Sequence, residues 1–360
     1  MMSRPDRRFW LPQLLVTIAL AQIAAGCLTV SDAPRSSAGA PPDARIWPDS
    51  PEPARIQYMG SITGGHDLGR EESVFGRLGA WIFGISDDKL VRPTGVAVQG
   101  NLIAVADPGR QALFLFDRKA GSAHVITSVP GQELVSPVSV CIAASGDVYV
   151  VDSFLRRIFV FGPDARLRRE MRSDELRRPS SVAFDEGPGR LYVADVVADA
   201  VHVFSAEGAL LFTFGERGAG AGQFNGPSHL WVDGNGTVYV VDALNFRLQL
   251  FDRDGHFLSR LGQHGDSSGD FARPKGVAVD SEGHIYVVDA LFGAVQIFRA
   301  NGDLLLSFGG NGEGPGQFWL PVGIAIDSTD HVYVADSYNR RLQVFQYLGA
   351  AYHGATDEPN

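Results

Sequence analysis

Six aspartates recur in this chain, at positions 107, 152, 195, 242, 289 and 336, each closing a run such as "YVVD". The intervals between them are 45, 43, 47, 47 and 47 residues. Carboxylates repeated at one place in a repeat can gather round a common axis, and a ring of them could hold calcium, a hard cation that prefers oxygen ligands. A second use competes. An aspartate that opens a turn can accept backbone N–H bonds and pair with an arginine further on, tying one strand to the next. Arg157, Arg247 and Arg341 stand five residues after the aspartate in the second, fourth and sixth copies, where the other copies carry Ala112, Ala200 and Ala294. Asn245 and Asn339 add an amide inside two of these turns. The structural role is therefore the expectation for Asp107, Asp152, Asp195, Asp242, Asp289 and Asp336.

Other chemistry is thin. His229 lies in "GPSHLWVD", and the matching positions elsewhere are Gly95, Ser139, Ser181, Gly276 and Gly323. A catalytic zinc needs about three protein ligands, and no copy supplies a second or third histidine in register. His202 stands where later copies have Gln249, Gln296 and Gln343, and is read as an exposed strand residue. His256, His284 and His331 fall in or beside turns. No Gly-x-Ser-x-Gly or His-Glu-x-x-His motif occurs, so no catalytic residue is assigned. The glycine-rich stretches 215–227 and 309–321 lack a Gly-Lys-Ser/Thr ending and open no helix, which makes them connections rather than phosphate cradles.

The elements that must position these residues follow from the period. Aligned prolines at 93, 137, 179, 227, 274 and 321 precede short alternating runs, as in "GVAVD" (276–280), "HIYVVD" (284–289), "AVQIF" (294–298) and "DLLLSF" (303–308). Four short strands joined by Gly, Asp and Asn turns, six times over, form an all-β, six-bladed β-propeller of four-stranded blades. No helical periodicity appears after residue 54. The sixth copy lacks its own fourth strand after "RLQVFQYL", while "ARIQYMGSI" at 54–62 reads as a strand outside any copy. The expectation is a ring closed by this N-terminal strand, leaving no open edge. The copies resemble NHL repeats over about residues 54–350, through Pro-x-Gly-Val-Ala-Val-Asp followed by Tyr-Val-x-Asp-x-x-Asn-x-Arg-Val-x-x-Phe.

The middle of each first-strand triplet, nearest the axis, is Ala97, Cys141, Ala183, Trp231, Ala278 or Ala325. Cys141 replaces an alanine and is expected to be an inert packing residue. Blade four departs most, since His229 and Trp231 both replace small residues and, two apart, point the same way. With Lys275 at the neighbouring start of blade five, they form a candidate binding feature at the mouth of the channel. No cofactor is expected outright; calcium or zinc at the channel stays open. Resemblance to NHL-type lyases with a propeller-bound zinc implies, as the alternative, a metal-dependent lyase or hydrolase near His229.

The turns after the aspartates carry apolar tips: Phe154 and Leu155, Val196 and Val197, Leu244 and Phe246, Leu291 and Phe292, and Tyr338. Turn tips are ordinarily polar, so a cluster of apolar ones on a single face suggests a surface that something covers.

Arg4, Arg7 and Arg8 precede an apolar run from Phe9 to Ala25 that ends "IAAGC". This reads as a signal peptide over 1–26 and resembles a bacterial lipobox, which implies cleavage before Cys27 and lipidation there. Leu28, not an aspartate, by the same resemblance implies the outer membrane in a diderm cell. Residues 27–53 are Ala/Ser/Pro-rich and read as a tether, 54–350 as the propeller and 351–360 as a flexible tail. The net charge of −10, which becomes −12 once three Arg and one Asp leave with the signal, argues against nucleic acid as a partner. The RNA binding known for some NHL domains is therefore not expected. The composite expectation is an envelope-anchored binding or scaffold propeller whose turn face meets a protein or a polysaccharide, with the membrane reached through the lipid.

Overall fold

Residues 45–49, 52–53, 55–68 and 88–349 are described by the computed structural model. Cys27, the signal, most of the tether and the tail lie outside the described residues.

In each copy the second and third strands are buried along most of their length because neighbouring blades cover both of their faces. In blade two these are Val148–Asp152 and Arg157–Phe161; in blade four they are Val238–Asp242 and Arg247–Phe251. Outer strands, covered on one face, alternate, as in Leu304–Gly309. Five blades use four consecutive antiparallel strands, from Gly95–Gln99 in blade one to Leu304–Gly309 in blade five. The inner strands touch in succession, and that of blade six (Ile324–Ile326) meets that of blade one, which closes the ring.

Blade six is completed from the N-terminal side. Ile56–Ile62 pairs with Arg341–Tyr347 as its fourth strand, as the missing strand of the last copy requires. Ile46–Trp47 then pairs with the far edge of that strand as a fifth, so ordered structure reaches into the stretch read as tether. Trp47 explains the extension: its ring packs 5.8 Å from Phe308 and 5.9 Å from Phe345. Among the described residues no helix is long and apolar enough to cross a membrane.

On the face away from the turns, the aspartate ending a first strand accepts from the tyrosine hydroxyl of the second: Tyr239 to Asp233, Tyr286 to Asp280 and Tyr333 to Asp327. Blade-to-blade clasps form here too, with Arg253 on Asp185 at 2.8 Å and Arg118 on the Tyr333 hydroxyl at 2.6 Å.

Candidate functional site

The six repeat aspartates are all fully buried, and each is occupied within its own part of the ring. Asp152 accepts from the N–H groups of Val135 and Ser136 in the incoming link and of Phe154 and Leu155 in its own turn. Asp107, Asp195 and Asp289 repeat the plan, on Val91 and Arg92, on Arg177 and Arg178, and on Ala272 and Arg273 respectively. In blades four and six one link N–H remains, from Asn225 and from Trp319, and side chains take the other places. Asp242 receives Asn245, Arg247 and Gln249, and Asp336 receives Asn339, Arg341 and Gln343. Arg157 departs from the expected plan: it pairs with Glu170 on the outer strand at 2.9 Å. Among the described residues no three His, Cys, Asp or Glu side chains assemble as a metal-binding set. The aspartates are posts that hold the links and turns of one face in fixed conformations.

Inner strands line a channel of about 230 Å3. Around it runs a belt of side-chain bridges. The Ser139 hydroxyl accepts from Val182 N–H, Ser181 from Leu230 N–H, and His229 Nδ1 from Val277 N–H at 3.3 Å. In the other half of the ring the blades meet backbone to backbone. A Cβ on Gly276 would lie 2.5 Å from the Val322 carbonyl, and one on Gly323 2.4 Å from that of Thr94. His229 is thus a spacer between blades four and five. With Nδ1 accepting, its proton sits on Nε2. Desolvation pushes its pKa from 6.5 down to about 4. Trp231 reaches across the channel and packs against the cores of blades five and six and of blades six and one. Cys141 is a free thiol lining the same space, and desolvation raises its pKa far above the ordinary range. Lys275 is half-buried and held below the usual lysine range by desolvation and by Arg273. His202, contrary to expectation, is buried at 3 % exposure with Nδ1 3.0 Å from the Thr213 hydroxyl. The glutamines it replaces explain why: Gln249 holds Gly222 N–H and the Gln223 carbonyl of the incoming link.

The titration of His229 has a testable sign. Between pH 6.5 and about 4 the unfolded chain binds a proton that the folded ring refuses, so this group's contribution is complete above pH 6.5 and is lost as pH falls towards 4. His229→Gln keeps an acceptor and removes the titration. The wild type is expected to lose up to about 3 kcal/mol more than the variant across that window, read as the difference in urea midpoints. Parallel profiles would show that His229 takes up its proton in the folded ring as readily as in the unfolded chain.

The turn tips divide. The residue two after the aspartate points outward in five blades: Phe154, Val197, Leu244, Leu291 and Tyr338 are 72 %, 52 %, 62 %, 58 % and 50 % exposed. Leu155 and Phe246 fold back, Leu155 into the core of blades one and two and Phe246 against blades four and five with its ring 4.3 Å from His264. Phe292 and Val196 are half-buried. Residues absent from the sequence-based set join the same face. Trp319, 47 % exposed, stands 5.8 Å from Tyr338, and with Arg92 and Arg340 it borders a groove of about 590 Å3 between blades six and one. A second groove, of about 490 Å3, lies between blades two and three, where Arg156, Arg177 and Arg178 surround Phe154.

Comparison with known proteins agrees with this geometry. A family model described as the NHL repeat matches residues 318–345, and one described as a 6-bladed beta-propeller matches residues 234–295. The chain carries an NHL repeat on a six-bladed propeller. No curated protein matches the sequence. Solved structures similar to this propeller include a protein of unknown function from Bacteroides thetaiotaomicron VPI-5482, at 16% identity and a TM-score of 0.61, covering 73% of this chain and 71% of that one. A streptogramin B lyase is 9% identical with a TM-score of 0.56, covering 72% and 94%. The WD40 propeller domain of Doa1 is 12% identical with a TM-score of 0.53, covering 72% and 80%. At these identities the likeness is one of fold alone.

Proposed function

We propose that this protein is a binding propeller held at the cell envelope by a lipid on Cys27, and that its turn face captures a protein or an envelope polymer. The observation that carries the reading is the exposed apolar residue at one turn position in five of six blades, Phe154, Val197, Leu244, Leu291 and Tyr338. An exposed apolar position repeated on one face is a surface with a use. The buried aspartates support it, since a face whose backbone is already fixed loses little entropy on binding.

Two substitutions test it. Cys27→Ser is expected to move the protein from the membrane fraction to the soluble one. Phe154→Asp with Leu291→Asp is expected to leave the melting temperature within a few degrees while cutting the material retained from solubilised envelope at least about tenfold, the scale of one interface hot spot. Equal retention by the double variant would reject the turn face as the binding surface.

A further inference from the structure

The two turn-face grooves share a composition that the apolar tips alone do not explain. Between blades six and one, Trp319 and Tyr338 present tilted ring faces 5.8 Å apart, flanked by Arg92 and Arg340. Between blades two and three, the exposed Phe154 ring is surrounded by Arg156, Arg177 and Arg178. These five arginines are exposed. The ion pairs of the described residues lie elsewhere, on Arg118, Arg157, Arg172, Arg247, Arg253 and Arg341 among others. On a chain with a net charge of −10, guanidinium groups with no carboxylate partner among the described residues, set beside exposed rings at two separate blade junctions, form a pattern.

We propose that the two grooves bind one anionic polysaccharide chain, a polymer of carboxylate-bearing sugars. The inference rests on the reading of the turn face as the binding face and names its ligand class. Guanidinium matches carboxylate as a planar fork and pairs with it bidentately. The apolar face of a sugar ring lies flat on an exposed aromatic ring, and here the rings of Trp319, Tyr338 and Phe154 are 47 %, 50 % and 72 % exposed above open grooves. A protein hot spot asks for the reverse, a closed pocket in which the anchor is fully desolvated. Nucleic acid asks for a basic field dense enough to displace phosphate counterions, which an acidic protein with five dispersed arginines does not make. Two grooves of one composition suit a repeating ligand, because a chain that reaches both gains effective concentration without any new contact.

The backbone that carries Trp319, Arg92, Arg177 and Arg178 is held in place by the repeat aspartates. Asp336 receives the N–H of Trp319 at 2.8 Å, Asp107 that of Arg92 at 2.9 Å, and Asp195 those of Arg177 and Arg178 at 2.7 and 2.8 Å. The posts of the fold are thus the posts of the site, which lowers the ordering cost of binding.

The test is calorimetric titration of the full chain with polygalacturonate, polyguluronate and polymannuronate. Methyl-esterified polygalacturonate, polyglutamate and single-stranded poly-dT serve as comparisons. At least one uronate polymer is expected to bind, with affinity falling about tenfold or more on esterification, the scale of one charge-assisted hydrogen bond. Trp319→Ala with Arg340→Gln is expected to lower affinity by a similar factor at an unchanged melting temperature. Adding Arg178→Gln is expected to remove the excess of long chains over short ones, on the order of a hundredfold. Failure of all three uronates, binding indifferent to the substitutions, or tighter binding of polyglutamate or poly-dT would each overturn the inference. The broader reading stands or falls separately, on whether Phe154→Asp with Leu291→Asp lowers retention of envelope material.

Discussion

Removal of residues 45–62 is expected to unfold the propeller. The strand Ile56–Ile62 supplies the fourth strand of blade six, and its side chains enter the cores on both sides of that blade. Ile56, fully buried, lies with Tyr58 and Trp47 in the core of blades five and six; Ile62 lies in that of blades six and one. Burial of a large apolar side chain is worth about 1.5–3 kcal/mol. Loss of these four therefore approaches the whole net stability of a domain, about 5–15 kcal/mol. The strand Arg341–Tyr347 would also be left as an open edge, a template for association. A chain starting at Thr63 should show no cooperative melt and should elute as aggregate, whereas a peptide of residues 45–62 supplied in trans should restore a transition by strand addition. A cooperative melt within about 5 °C of the full chain would show that the ring is held by the remaining blade contacts alone.

That closing strand was legible because a propeller with an unpaired last edge is physically incomplete, and the sixth copy is visibly one strand short. Ile46–Trp47 was not legible, since two residues in a proline-rich stretch carry no period and their reason for order is the distant Phe308 and Phe345. The turn face was legible at the level of composition only. Leu244 and Phe246 look alike in sequence, yet Phe246 occupies the left-handed position of its turn, φ 53°, and is directed inward. The arginines and Trp319 were missed although a signal existed. Arg92 and Arg178 directly precede aligned prolines and Trp319 stands two before one, which places them on links that share a face with the turns. Arg157 misled because the type of residue was right but the partner was not. Without an asparagine in its turn, Asp152 is filled by backbone N–H groups, and the arginine goes to Glu170.

The contrast between Asp152 and Asp242 leads to the second large effect. Asp242→Ala is expected to destabilise the protein by about 3–5 kcal/mol, because it strands a buried cation. Arg247 has a side chain 5 % exposed, pairs with Asp242 at 2.8 Å, and also donates to the carbonyls of Ala219, Gly220 and Gln223. Carbonyl dipoles satisfy its N–H groups but do not neutralise its charge, so without the carboxylate the guanidinium must draw in water or leave, and the link 215–226 that it braces must open. Removal of the charge together with its partner is a different matter, since an apolar pair of similar volume can replace a buried ion pair at little cost. Asp242→Ala with Arg247→Met should therefore be no less stable than Asp242→Ala alone, despite carrying one more substitution. Urea unfolding of both variants decides the point. A cost below about 1 kcal/mol for Asp242→Ala would mean that the three carbonyls suffice to hold Arg247. A double variant much weaker than the single one would mean that the bonds from Arg247 to the link, rather than its charge pairing, hold blade four to blade three.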